Sequence, residues 1–111
     1  MRLNQERLES CGVTVAPLHA TGGGAKSRVW MQMKADVLNV PVTALTTAEA
    51  GAAGSAMLVG MALGLYSSLE AAAEKTVKVR EVFLPRPEAH ARYEAVYQRY
   101  KKLYDAVRPL V

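Results

Sequence analysis

Three consecutive glycines stand in Thr21-Gly22-Gly23-Gly24-Ala25-Lys26-Ser27, between a β-type run (Val13 to Leu18) and a helical run that opens near Ser27. Glycine has no Cβ, so a ligand or another backbone can approach such a turn closely. The first N–H groups of the following helix lack intrahelical partners and favour negative charge. A strand, a glycine turn and a helix in that order make a phosphate or nucleotide contact physically possible. They equally make a tight structural turn, and the pattern alone leaves both open.

The standard nucleotide fingerprints are not met. A Walker A loop has glycine directly before Lys-Ser; here Ala25 stands there, and Ala20 fills the first glycine position. The dinucleotide pattern also fails, because Ser27 replaces its last glycine. Other chemistry is sparse. His19 and His90 share no ligand spacing with Cys11, and Glu49 reads as a helix cap. No paired carboxylates, no metal motif and no nucleophile with a base can be read, so no catalytic and no metal-binding residue is expected.

The surrounding chain reads as α-β-α-β-α-α-α. Leu3 to Ser10 follows a helical period, with Gly12 as C-cap. Val13-Thr14-Val15 reads as a strand. Ser27 caps a helix to about Leu38, with Trp30, Met33 and Val37 on one face, and Asn39 suits the reversal. Val40 to Leu45 is a second strand, with Pro41 at its start. Thr46-Thr47-Ala48-Glu49 fits a capping box before a helix to about Tyr66, so rich in Ala and Gly that neighbouring backbones should come close.

A further helix runs from Ser68 to about Val77, Val82 to Pro85 is extended, and Pro87 opens a last helix to about Val107. There Ala89, Tyr93, Val96, Tyr97, Tyr100, Leu103, Tyr104 and Val107 form one apolar stripe, expected to pack in a core with hydroxyls at the rim. Strands alternating with helices imply a parallel βαβ unit. Two strands make a poor sheet by themselves, so the chain reads as part of something larger.

Composition narrows the partners. With 111 residues the chain is one small domain at most. A single cysteine, Cys11, allows no internal disulfide and points to a reducing compartment. The small and apolar stretch Ala50 to Leu65 reads as a buried helix shorter than a membrane span needs, although Ala52, Ala56, Gly60 and Gly64 form a small-residue row. The net charge of +4 is concentrated from Lys78 onward, where Lys78, Arg80, Arg86, Arg92, Arg99, Lys101, Lys102 and Arg108 outnumber Glu81, Glu88, Glu94 and Asp105. A solvated helix face accounts for this. The alternative is a non-catalytic interaction module that binds nucleic acid through the basic C-terminal helix.

As a series, these segments resemble the C-terminal end of the FGGY carbohydrate kinases. The residues that carry the resemblance are Gly22 to Ser27, Trp30-Met31-Gln32-Met33-Lys34-Ala35-Asp36-Val37-Leu38, Pro41-Val42, Glu49 to Ala56, and Pro85 through Tyr93, Tyr97, Tyr100 and Tyr104. The Lys-Ser pair and the tyrosine-rich tail are more similar to the xylulokinase branch than to glycerol kinase.

The resemblance implies an α/β fold: part of a ribonuclease H-like, actin-like ATPase domain, with two parallel strands and several helices. Residues 1–111 would be the C-terminal part of the ATP-binding domain. It places Gly22 and Gly23 on the adenosine and α-phosphate side of ATP and Ser27 at the nucleotide, with Gly24, Ala25 and Lys26 as weaker carry-overs.

It further implies ATP and Mg²⁺ as cofactors of a longer, cytoplasmic parent that phosphorylates a sugar hydroxyl, a pentulose such as xylulose being favoured. The general base and the sugar-binding lobe would lie upstream, the chain would start mid-domain, and alone it would be inactive. Neither nucleic acid nor membrane is expected as a partner. Uncovered surfaces would make a homo-oligomer.

Overall fold

The computed structural model describes residues 1–47 and 49–108. In chain order its elements are α1 (Arg2–Ser10), β1 (Leu18–Ala20), a 3-10 turn (Gly23–Lys26), α2 (Arg28–Leu38), β2 (Val42–Leu45), α3 (Ala50–Ala62), α4 (Leu69–Thr76), β3 (Val79–Phe83) and α5 (Pro87–Val107). β2 is the central strand. It pairs in parallel with β1, Leu18 opposite Val42 and Ala20 opposite Ala44. On its other side β3 runs antiparallel, with Val42 opposite Phe83 and Ala44 opposite Glu81.

The helix-rich α/β class and the parallel pair are as the sequence implies, but the sheet has a third strand. The residues assigned to strands also shift. Val13-Thr14-Val15 are not a strand; the chain pairs only from Leu18, whose N–H donates to the Pro41 carbonyl at 3.0 Å. A β-branched run becomes a strand only where a neighbour can pair with it. β3 starts at Val79 and stops before Pro85, which has no N–H for the ladder.

α2 lies on the sheet through Met31, Ala35 and Leu38, spaced to share one face. Met31 and Ala35 are fully buried and form the core with Ala25, Val42, Ala44 and Phe83, flanked by Leu18 and Ala20. Burying Met31 alone contributes about 1.5–3 kcal/mol. The face expected from Trp30, Met33 and Val37 is not the core face. The ends are as expected: Ser27 Oγ accepts from Trp30 N–H at 3.3 Å, and Asn39 closes the helix at φ 56°.

One helix-level expectation fails. The Thr46–Glu49 capping box does not form: Thr46 Oγ1 donates instead to the Lys78 carbonyl at 3.2 Å, and Glu49, the N-cap of α3, makes no side-chain cap bond. Ala48 lies outside the described residues. A methyl group at Gly51 or Gly54 would meet nothing within 4 Å, whereas Gly60 sits under the Tyr66 ring. The small residues of α3 therefore bring no described backbone close at these two positions.

The α5 stripe is buried only in part. Tyr97 is buried and Ala89 and Tyr93 are half-buried, but Val96, Tyr100, Leu103 and Val107 are exposed. The Tyr104 side chain lies outside the described residues.

Side-chain bonds fasten α5 to the rest. The fully buried Asp36 carboxylate accepts from Arg86 N–H at 2.8 Å, from the Arg86 guanidinium at 2.6 Å and from Gln32 Nε2 at 2.9 Å. His90 Nδ1 donates to the Asp36 carbonyl at 2.8 Å. Further along, Tyr97 donates to Glu6 at 2.7 Å, and Arg2 pairs with Glu94 and lies over the Tyr97 ring.

Candidate functional site

The glycine loop leaves the end of β1 and turns into α2. Its three glycines differ physically. Gly22 has φ 82° and ψ 179°, a region that residues with a Cβ essentially do not occupy. Its identity is set by the turn. Gly24 faces the Trp30 indole, where a methyl group would stand 3.3 Å from Cδ1. Gly23 has neither constraint: its φ is not positive, and a methyl group there would meet nothing within 4 Å.

The loop then tightens into the 3-10 turn. Ala25 N–H donates to the Gly22 carbonyl at 3.0 Å and Ser27 N–H to the Gly24 carbonyl at 3.3 Å. The Ala25 side chain enters the core and anchors the turn. Lys26 and Ser27 are exposed. Trp30, 46% exposed, lies beside Gly24, with Lys34 Nζ 5.6 Å from its ring centroid.

All four residues singled out from the sequence, Gly22, Gly23, Gly24 and Ser27, thus lie in one short surface loop. This loop offers amide donors, a hydroxyl and an indole face. It offers no nucleophile or free base: the nearby Glu81 carboxylate accepts from Arg28 at 2.5, 3.0 and 3.2 Å, and that bond raises the Arg28 pKa. Among the described residues no three His, Cys, Asp or Glu side chains gather as they would to hold a metal ion. His19 is exposed on β1, and His90 is engaged by Asp36. Arg99, Lys101 and Lys102 are exposed late on α5, far along the chain from the loop.

Sequence reasoning missed the residues that hold the loop and α2 in place. No local pattern sets Trp30 beside Gly24 or links Asp36 to Arg86. Burial alone would raise the Asp36 pKa, but the Arg86 side chain and backbone together with Gln32 outweigh burial and hold it below the usual carboxylate value.

A strand, glycine turn and capped helix packed on a mixed sheet agree with what sequence comparison finds. The profile of the FGGY family of carbohydrate kinases, C-terminal domain, matches residues 1–63, more than half of the chain. The chain belongs to this family, and its fold is a helix-rich α/β part of the actin-like C-terminal domain.

Xylulose kinase of Staphylococcus epidermidis is 36% identical over 103 residues, covering 93% of this chain and 21% of that protein. Autoinducer-2 kinase of Enterobacter sp. is 39% identical over 93 residues, covering 84% of this chain and 18% of that protein. The crystal structure of xylulose kinase from Rhodospirillum rubrum superposes with a TM-score of 0.75 at 30% identity, over 98% of this chain and 22% of that one. The chain therefore spans about a fifth of the length of these relatives. No helix among the described residues is long and apolar enough to cross a membrane.

Proposed function

We propose that residues 1–111 belong to the ATP-binding lobe of a cytoplasmic carbohydrate kinase, and that the loop Gly22–Ser27 forms the adenosine-side wall of its nucleotide site. Gly23 carries this reading. Its missing Cβ serves neither the backbone conformation nor the packing of this fold, so the space it leaves is free for a ligand. Gly22 shapes the turn, and Gly24 leaves room beside Trp30. The Ser27 oxygen accepts the Trp30 N–H, while its own O–H can donate to the nucleotide.

The parent would move the γ-phosphoryl group of ATP to a sugar hydroxyl, a reaction that depends on positioning and charge neutralisation. Similarity to xylulose kinases favours a pentulose such as xylulose. Mg²⁺ would neutralise the phosphates; Glu81, tied to Arg28, is a poor ligand for it. The catalytic base and the sugar site fall to other parts of the parent, so this chain alone has no kinase activity. Its uncovered apolar faces favour self-association.

The test is titration of the ¹⁵N-labelled chain with MgATP. Saturable shifts confined to the amides of Gly22 to Ser27 are expected. An unperturbed loop at millimolar ATP rules the reading out, as does phosphorylation of xylulose by the chain alone for the claim of inactivity. Shifts at Arg99, Lys101 and Lys102 on adding oligonucleotide, lost with salt, would support the basic-helix alternative.

A further inference from the structure

β3 pairs with β2 out of step at one position. Glu81 stands opposite Ala44 and Val79 opposite Leu45, so the register passes over Arg80. A residue passed over in this way bends its strand and re-aims its side chain. The Arg80 side chain crosses to the glycine loop, where Nη2 donates to the Ala25 carbonyl at 2.6 Å. Beside it, Glu81 takes the Arg28 guanidinium through both oxygens.

We propose that Arg80 is a positioning residue for the nucleotide loop. This rests on the reading of Gly22, Gly23 and Ser27 as nucleotide contacts. Three glycines in a row make this the most permissive backbone in the chain, and ordering it on binding would cost entropy. The bond that closes the 3-10 turn, from Ser27 N–H to the Gly24 carbonyl, is long at 3.3 Å. Ala25 is buried, so its carbonyl needs a protein partner, and a guanidinium is a strong one.

Arg80 holds the turn from the sheet edge before any ligand arrives, and a preordered loop binds more tightly. The Arg28–Glu81 pair adds less, because it ties α2 to β3 without touching the turn itself and, with Arg28 77% exposed, its charge is screened. Arg80 lies beyond the stretch that the family profile matches.

The test compares the wild-type chain with Arg80→Met, Arg80→Lys and Glu81→Gln. Without nucleotide, Arg80→Met should speed hydrogen exchange at the Ala25 and Ser27 amides about tenfold and leave Ala35 and Val42 unchanged. It should weaken ATP binding about tenfold, with Arg80→Lys restoring part of both. Glu81→Gln should change either by less than about twofold.

Unchanged exchange at Ala25 and Ser27 in Arg80→Met overturns the proposal. So does exchange raised equally across Ala35 and Val42, which would mean general loosening. If wild type and Arg80→Met bind ATP equally, the positioning role alone fails. If the wild-type loop does not respond to ATP, the nucleotide reading fails and the positioning role goes with it, whatever the exchange rates.

Discussion

At the scale of single residues, neighbouring glycines have different reasons to be glycine. Gly22 is in a backbone region closed to side chains, so Gly22→Ala should destabilise the chain by about 1–3 kcal/mol. Gly23→Ala meets open space and should leave stability within about 0.5 kcal/mol of wild type while weakening ATP binding. Urea unfolding, with the fluorescence of the single tryptophan, Trp30, beside the loop, measures the first quantity. Nucleotide titration measures the second. Equal stability loss in both variants would mean that Gly23 serves only the fold. The cluster was legible in the sequence as a loop, but this division of labour was not, because φ and the space around a missing Cβ are set by the tertiary structure.

At the scale of elements, the helices were the more legible part. The helical period and the caps Ser27, Ser68 and Pro87 are local signals, and α2, α4 and α5 start where they point. Strands depend on partners distant in sequence, so β1 slid from Val13–Val15 to Leu18–Ala20 and β3 was read only as an extended stretch. The ties between elements were invisible for the same reason: Asp36 and Arg86 are 50 residues apart.

The Asp36 tie gives a pH dependence. Its folded pKa lies below the ordinary value, so the unfolded chain binds more protons in acid. The stabilisation is complete above about pH 5 and is lost as pH falls below the ordinary carboxylate pKa of about 3.9 toward the folded value. Asp36→Asn should cost about 1–3 kcal/mol at pH 7 and flatten that acid limb. Denaturation at pH 7 and pH 3 checks both.

Where α5 meets α1, burial and the bond to Glu6 push the Tyr97 hydroxyl up to about 12. One of the five tyrosines should therefore ionise late in an absorbance titration. Its contribution to stability should be intact below about pH 10 and fade toward pH 12. Tyr97→Phe should abolish the late step.

At the scale of the whole molecule, the radius of gyration is 18.0 Å and the extents are 56 × 33 × 27 Å. A compact chain of this length would have a radius of about 13 Å. The excess comes from elements that pack on one side only. α3 shows Leu58, Val59 and Met61 to solvent, and α5 shows Val96, Tyr100, Leu103 and Val107. A groove of about 1100 Å³ between α1 and α5 is lined by Leu3, Tyr100, Leu103 and Val107, with three cations, Arg7, Lys101 and Arg108, and one carboxylate, Asp105, around it.

Exposed apolar surface on this scale recruits a cover. In a solution of this chain the available cover is another copy, opposed by the repulsion of two positive ends. Association should therefore strengthen with salt, as screening weakens that repulsion while apolar burial persists. Sedimentation equilibrium at low and high salt tests this. A dimer or larger species that grows with salt is expected, and Leu103→Glu together with Val107→Glu should shift it toward monomer. A monomer at every salt concentration would mean that the α5 face does not bind a second copy. An oligomer that dissolves as salt rises would mean that charge, rather than the apolar stripe, holds the copies together.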